Sequence, residues 1–429
     1  MNRDHIFRLL LLLMFMISAS FGRLQAQFTL QAELRPRVEY RHGYKSLPPT
    51  DAQPGFQISQ RTRLKAGYDI KGLKMGLSLQ DVRLWGETPQ LTSVSNRFML
   101  HEAWAELALS EHSSLKMGRQ ELVYDDARLF GNGDWGQAAR SHDLLLFKYE
   151  RGFSLHIGAA YNQSSDLLFG STYKMTNNYK TLQFGRLNGK IGVVNASFLF
   201  INNGMEYKYT ENNTDKYKTV FSQTFGTHLK HEASRGKIYA NAFYSVGKDA
   251  SDRELSAYNL MLGGDLKLNK NFDTGIGYEL LSGTSQREAL NNPTYTNHSF
   301  SPLYGTTHKF NGFMDYFYSG NHLNSVGLHD IFASVTTRGK KSSLQLAMHI
   351  FAAANEVLKA NSINETMDSY LGTEFDLTFT HKVNDITNLT AGYSQMFGSE
   401  TLAKLNGGDT KELSNWFYVM ISFKPIFLK

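Results

Sequence analysis

The sequence predicts an all-β protein, a transmembrane antiparallel β-barrel of about eighteen strands. Apolar and polar residues alternate along many short segments, which is the period of a strand with one lipid-facing and one water-facing side. Short and long connections between these segments also alternate. After residue 26, no apolar stretch is as long as the roughly 18 residues that a membrane-spanning helix needs.

The first 26 residues predict a secretory signal peptide. Arg3 and Arg8 precede an apolar run over residues 9–19, which is too short to span a bilayer as a helix. Small residues place the cleavage site after Ala26. The alternative is a buried N-terminal helix. Residues 27–429 are then expected to form a single β-barrel domain in the outer membrane of a bacterial cell.

The composition fits this fold class. The chain has 36 glycines, 22 tyrosines, 29 phenylalanines and 8 prolines, and aromatic residues form the interfacial girdles of such barrels. A mean hydropathy of −0.36 is compatible with membrane residence, because alternating apolar and polar residues cancel in the average. The absence of cysteine excludes disulfides and thiolate metal sites.

The alternation predicts where each strand lies and which residues face the lumen. In the first strand, residues such as Phe28 and Leu34 form the lipid-facing set, and Arg35 and Arg37 belong to the intervening set. The predicted strands cover 28–42, 57–70, 73–85, 99–109, 113–120, 142–149, 153–162, 181–187, 190–202, 219–229, 236–247, 257–268, 272–283, 327–337, 342–352, 370–380, 388–397 and 414–424.

The connections predict how the barrel is oriented. Two-residue turns are expected at Lys71-Gly72 and at Asn188-Gly189, because Asn and Gly tolerate positive φ. Long loops are expected at 86–98, 203–218 and 284–326. Outer-membrane barrels have short periplasmic turns and long extracellular loops, and an even strand number places both termini in the periplasm.

Basic residues on the polar faces of the first two strands are candidate pore-lining residues. They are Arg35, Arg37, Arg61, Arg63 and Lys65. Clustered guanidinium groups attract carboxylates and phosphates, and the low-dielectric walls of a pore strengthen their field. The alternative is that these cations only brace the wall by pairing with nearby acidic residues, which include Glu33, Glu39, Asp69, Glu102 and Glu106.

The most distinctive motif lies at 118–143. It contains Gly118-Arg119-Gln120, then Tyr124-Asp125-Asp126-Ala127-Arg128, Asp134-Trp135, and Arg140-Ser141-His142-Asp143. In these elements and their order, the sequence resembles the alginate-export family of outer-membrane barrels. The resemblance implies an eighteen-stranded channel whose arginines select an anionic uronate polymer. It further implies that Arg119, Arg128 and Arg140 line a constriction and that Asp126, Asp134 and Asp143 hold them.

Three functions are compatible with the sequence. The first is a passive channel for an anionic polysaccharide or oligosaccharide, by export or uptake. The second is a general anion-preferring porin, and the third a barrel-embedded hydrolase, which lacks a visible set of converging catalytic residues. The expected protein is therefore not an enzyme and needs no cofactor. Expected partners are outer-membrane lipid and lipopolysaccharide, an anionic saccharide and periplasmic secretion proteins, but not nucleic acid.

Other motifs carry less weight. Gly131-Asn132-Gly133-Asp134-Trp135-Gly136 matches a dinucleotide-binding pattern, but no strand-helix-strand unit surrounds it. The acidic loop around Asp125 and Asp134 could supply oxygen ligands to calcium. We expect arginine to brace this loop instead, and no metal site is predicted.

Overall fold

The computed structural model describes residues 27–91, 98–175, 178–318, 322 and 324–429. The predicted signal peptide lies outside these residues. Within the described part, no helix is both long enough and apolar enough to cross a membrane.

In the residues that the structure describes, eighteen antiparallel strands form a closed barrel, which confirms the predicted fold class. Each strand pairs with its neighbours in the chain, and β1 closes the barrel by pairing with β18. A short β19 after β18 also pairs with β1. The strands are β1 (Gln27–His42), β2 (Gly55–Ile70), β3 (Leu73–Leu84), β4 (Phe98–Ala108), β5 (Ser113–Gln120), β6 (His142–Arg151), β7 (Phe153–Tyr161), β8 (Thr181–Ile191), β9 (Val194–Glu211), β10 (Thr214–Ala233), β11 (Gly236–Lys248), β12 (Glu254–Lys267), β13 (Phe272–Leu281), β14 (Leu328–Arg338), β15 (Ser342–Ala352), β16 (Tyr370–Asn384), β17 (Thr387–Gly398), β18 (Ser414–Phe423) and β19 (Ile426–Leu428).

The outer face of the barrel is apolar and the inner face is polar. Leu34 is 38% exposed on the outside, whereas its neighbour Arg35 is 4% exposed on the inside. The same contrast separates Leu64 from Arg63 on β2. An apolar exterior suits contact with lipid. A closed barrel suits the bilayer as well, because its strands bond their backbone N–H and C=O groups within the sheet.

Two predicted connections are wrong. Asn188 and Gly189 lie inside β8, paired with both neighbouring strands, and the turn falls at residues 192–193. Residues 203–218 are not a loop, because β9 and β10 continue to a tight turn at Asn212-Asn213. Both asparagines have positive φ, at 50° and 59°, which suits the two central positions of a type I′ hairpin turn.

The predicted loop at 284–326 agrees with the structure, while residues 92–97 of the predicted loop at 86–98 lie outside the described residues. Two of the long connections fold into the barrel. Loop 3, residues 121–141, joins β5 to β6, and loop 7, residues 282–327, joins β13 to β14. Loop 7 contains a short helix α1 (Gln286–Asn291) and a 3-10 turn, and a second helix α2 (Glu400–Asn406) precedes β18. Phe130 of loop 3 and Met314 of loop 7 are fully buried. The core therefore lies inside the lumen, between the loops and the wall.

Candidate functional site

A basic wall on β1 and β2 holds loop 3, and Asp134 is its main partner. The carboxylate of Asp134 accepts a hydrogen bond of 2.8 Å from Arg61 and one of 3.3 Å from Arg35. It also lies 4.0 Å from the guanidinium group of Arg63. Arg61 is 1% exposed and pairs with Glu33 as well, at 2.6 Å. One loop carboxylate thus connects three buried arginines.

Backbone carbonyl groups of loop 3 complete this contact. Arg35 donates to the carbonyl oxygen of Gly136 at 3.2 Å, and Arg37 donates to that of Trp135 at 2.9 Å. Arg63 donates two hydrogen bonds to the amide oxygen of Gln80, whose amide nitrogen donates to the carbonyl of Ala138. The structure therefore favours the bracing alternative for Arg35, Arg61 and Arg63.

Lys65 follows Arg63 by two residues on β2 and therefore lies on the same face, closer to the turn between β2 and β3. It is half-buried. It extends the line of basic residues along the lumen side of this strand.

The pKa of Asp134 reflects its arginine partners. Burial by itself would raise the pKa of this carboxyl group, but the hydrogen bond from Arg61 and the charges of Arg61, Arg35 and Arg63 lower it below its ordinary value. Asp134 is therefore ionised at neutral pH. A charged carboxylate is the form that three arginines can hold.

The other end of loop 3 reaches the far side of the lumen. Arg128 is 2.8 Å from the carboxylate of Glu279 on β13 and donates to Asn311 of loop 7 at 3.0 Å. Asp126 accepts from the backbone N–H of Arg128 and from Asn241 on β11. Asp126 thus contacts Arg128 as the resemblance implies, but through the backbone N–H of Arg128 rather than through its guanidinium group. It also ties the loop to the wall.

The acidic residues of loop 3 are spread over separate partners. Asp125 pairs with Arg186 of β8 at 2.7 Å, while Asp134 faces the basic wall on another side of the lumen. Among the described residues, no group of three or more acidic or histidine side chains could hold a metal ion. Calcium would need six to eight converging oxygens, and these side chains do not converge.

An acidic wall, which the sequence analysis missed, holds loop 7. It consists of Glu279 on β13, Asp330 on β14, and Glu374 and Asp376 on β16, all of them buried. The backbone N–H of Met314 donates to Glu374 at 2.8 Å, and that of Phe313 donates to Asp376 at 3.4 Å. The signal was present, because Glu374 and Asp376 are alternate residues of a predicted strand and so share its polar face.

Arg119 does not line the pore, and this prediction is wrong, whereas Asp143 holds Arg119 as the resemblance implies. They pair with each other at 2.8 Å across β5 and β6. Their side of the wall also carries Met117, which is 61% exposed, and Leu145. This is the outer face of the barrel. His142 lies on the opposite, inner face and contacts Tyr179, so Ser141, His142 and Asp143 do not converge as a catalytic triad would.

A vestibule of about 860 Å³ opens on the loop side of the contact between loops 3 and 7. Its lining includes Arg37, Arg41 and Arg140 and is rich in hydroxyl groups, among them those of Ser222, Thr224, Ser245, Ser299 and Ser301. Arg41 and Arg37 both pair with Glu39, at 3.0 and 3.1 Å.

Arg140 differs from the other arginines of the vestibule. It donates to the carbonyl oxygen of Gly305 at 2.9 Å and to that of Gly131 at 3.5 Å. Within the part of the chain that the structure describes, no carboxylate lies at ion-pair distance from it. Burial lowers the pKa of its guanidinium group, although an arginine remains charged at any physiological pH. The vestibule therefore contains a cation that neutral carbonyl groups hold in place.

Three solved structures share this architecture. OccAB4 of Acinetobacter baumannii has a TM-score of 0.62 at 12% identity, covering 95% of this chain and 100% of that chain. OpdO of Pseudomonas aeruginosa has a TM-score of 0.60 at 11% identity, with coverages of 94% and 98%. The outer membrane protein OpdK of the same organism, solved with vanillate, has a TM-score of 0.55 at 10% identity, with coverages of 93% and 99%.

The chain has the fold of an outer-membrane channel. Together with the apolar exterior, this fold places the protein in a bacterial outer membrane. No family model and no curated protein matches the sequence. None of these three structures is an alginate exporter, so the resemblance to that family rests on the motif at 118–143 alone.

Proposed function

We propose that the protein is a passive outer-membrane channel for small solutes that carry a carboxylate group. The proposal depends on the position of Arg140 in the vestibule and on its contacts with carbonyl groups. Among the described residues, Arg140 has only neutral carbonyl groups as hydrogen-bond partners, so its charge is available to a solute, and its planar fork matches a carboxylate. Arg37 and Arg41 lie in the same vestibule and strengthen the positive field at its wall.

Small solutes fit the lumen better than a polymer does. Loop 3 contacts the inner faces of β1 and β2 through Asp134, β8 through Asp125, and β13 through Arg128. Loop 7 contacts β9 through Tyr304 and β16 through Met314. Two loops that reach opposite walls occupy much of the width that an eighteen-stranded barrel would otherwise leave open. We therefore favour the anion-porin alternative over passage of a polysaccharide.

The bound ligand of one similar structure supports the solute class. OpdK was solved with vanillate, and vanillate is a small aromatic carboxylate. The hydroxyl groups of the vestibule lining offer hydrogen bonds to the remainder of such a solute, as is usual in pockets where a few polar groups fix orientation.

The proposal is tested by the reversal potential of the purified channel in a planar bilayer under a gradient of a carboxylate salt. We expect the parent to prefer the anion and Arg140→Gln to reduce the permeability ratio on the order of fivefold, because one unit charge near a solvated path contributes about 1 kcal/mol. Arg119→Gln on the outer face is the control and should leave the ratio unchanged.

Two results would refute the proposal. The first is cation preference in the parent channel. The second is unchanged selectivity in an Arg140→Gln barrel that still resists unfolding by heat on gels. If uronate oligomers entered channel-bearing liposomes as fast as the monomer, the polysaccharide function would be favoured instead.

A further inference from the structure

The β9–β10 hairpin projects beyond the membrane part of the barrel. These strands have 18 and 20 residues, whereas a tilted strand needs about 9 to 11 residues to cross the bilayer. The outward-facing apolar residues end near Phe200 and Phe221. Further along β9, the outward positions carry Glu206 and Lys208, so roughly half of the hairpin stands in water.

The inner face of this projecting part continues the wall of the vestibule. Asn203 and Met205 on β9 line the vestibule, and side chains two residues apart on a strand point the same way. Tyr207 and Tyr209 therefore follow them up the same face. Their cross-strand partners are Lys218 and Lys216 on β10.

The two tyrosines and Lys218 have a defined geometry. The phenol rings are nearly parallel, with 8° between their planes and 6.3 Å between their centroids. The Lys218 ammonium group lies 5.5 Å and 5.7 Å from the two centroids. Asp252, from the connection between β11 and β12, holds this ammonium at 2.5 Å. Two half-buried aromatic rings thus lie beside a fixed pair of one cation and one carboxylate.

We propose that this face binds the ring of a sugar acid on its way to Arg140. The negative face of an aromatic ring attracts the C–H face of a pyranose, and the Lys218–Asp252 pair offers both a donor and an acceptor to its hydroxyl groups. A solute without hydroxyl groups would make no hydrogen bond to that pair. This inference rests on the proposed function, since it names which carboxylate solutes the channel prefers.

The test compares two sugar acids that have the same number of carbons and the same charge. Glucuronate is a ring and gluconate is an open chain. The dissociation constant of each is measured from its block of the chloride current through the purified channel. We expect glucuronate to bind the parent more tightly on the order of tenfold, in line with the strength of aromatic ring contacts. The Tyr207→Ala/Tyr209→Ala variant should bind both acids equally.

Two controls isolate the ring contact. Tyr217→Ala removes a tyrosine on the outward face of the same hairpin and should keep the preference. Tyr207→Phe/Tyr209→Phe retains the rings and should keep it too. If the parent shows no preference, or if the double alanine variant retains it, the inference fails. The proposed function survives either result as long as the parent prefers anions and Arg140→Gln reduces that preference. A parent channel that does not prefer anions would contradict both the inference and the proposed function.

Discussion

The basic wall on β1 and β2 and the acidic wall on β13, β14 and β16 differ in the hydrogen-bonding groups that they offer to a loop. Each wall anchors a loop inside the lumen. Loop 3 offers acceptors to its wall, namely Asp134 and the carbonyl groups of Trp135 and Gly136. Loop 7 offers donors to its wall, including the backbone N–H groups of Phe313 and Met314.

The difference shows how a wall determines the loop conformation that it can hold. A row of arginines can only donate hydrogen bonds and a row of carboxylates, when ionised, can only accept them. A loop therefore has to turn its carbonyl oxygens towards the first and its amide hydrogens towards the second. Gly312 allows the second arrangement, because it has a positive φ of 84° and a Cβ atom there would lie 2.6 Å from the Glu374 carboxylate.

Removing one arginine from the basic wall should have the largest effect. Arg61→Met removes the buried cation that Glu33 and Asp134 share, and breaking a buried ion pair costs about 3 to 5 kcal/mol. We expect deuterium exchange in residues 133–140 to accelerate on the order of a hundredfold or more, with loop 7 unchanged. Arg119→Met, which breaks an exposed pair, should alter exchange little. Equal exchange in both variants would contradict the anchoring role of Arg61.

A glycine substitution should release loop 7 by a smaller amount. Gly312→Ala adds overpacking against Glu374 to an unfavourable left-handed backbone, which together cost about 2 to 4 kcal/mol. Gly133→Ala in loop 3 has a positive φ but open space around the new methyl group, and should cost about 1 to 2 kcal/mol. Deuterium exchange of each loop measures the difference. A greater effect at Gly133 would show that the acidic wall does not depend on close approach at Gly312.

Acid should loosen loop 3 through Asp134, and this is the smallest effect. Its pKa is lower in the folded protein than its ordinary value of 3.8, so its contribution to loop stability is complete above that value and is lost as the pH falls through the lowered pKa. Exchange in residues 133–140, taken relative to the intrinsic rate at each pH, should therefore be constant from pH 8 to about pH 5 and should rise below about pH 4. Asp134→Asn should remove this rise. A rise of equal size in that variant would assign it to another group.

The sequence predicted the strands well, because alternation is a local property. All eighteen predicted segments overlap the observed strands, and the largest errors are at Asn188-Gly189 and at residues 203–218. At Asn188-Gly189, pairing with both neighbouring strands keeps a dipeptide that favours turns in an extended conformation. At residues 203–218, the hairpin is polar because it lies outside the membrane, so it lacks the apolar alternation of a lipid-facing strand. Local pattern could not specify either outcome.

The site was harder to predict than the fold. Alternation placed Arg35, Arg61 and Arg63 on the lumen side, but only the folded loop shows that Asp134 forms ion pairs with them. Arg119 and Arg140 belong to one motif, yet one faces outward and the other lines the vestibule. Contacts between residues a hundred or more positions apart, such as Arg35 with Gln137 or Arg128 with Asn311, have no signature in a local pattern.

The pairing of β1 with β18 has a consequence for how the chain acquires its shape. Arg41 lies beside Trp416, and the indole N–H of Trp416 donates to Glu39 at 3.2 Å. Most other strand pairs join neighbours in the sequence, but this one closes nearly the whole chain into a ring, and it has the highest entropic cost. Until it forms, the sheet has two exposed edges that cannot stay unpaired in lipid. Insertion into the membrane and closure of the barrel must therefore proceed together, and the last step is the pairing of β1 with β18.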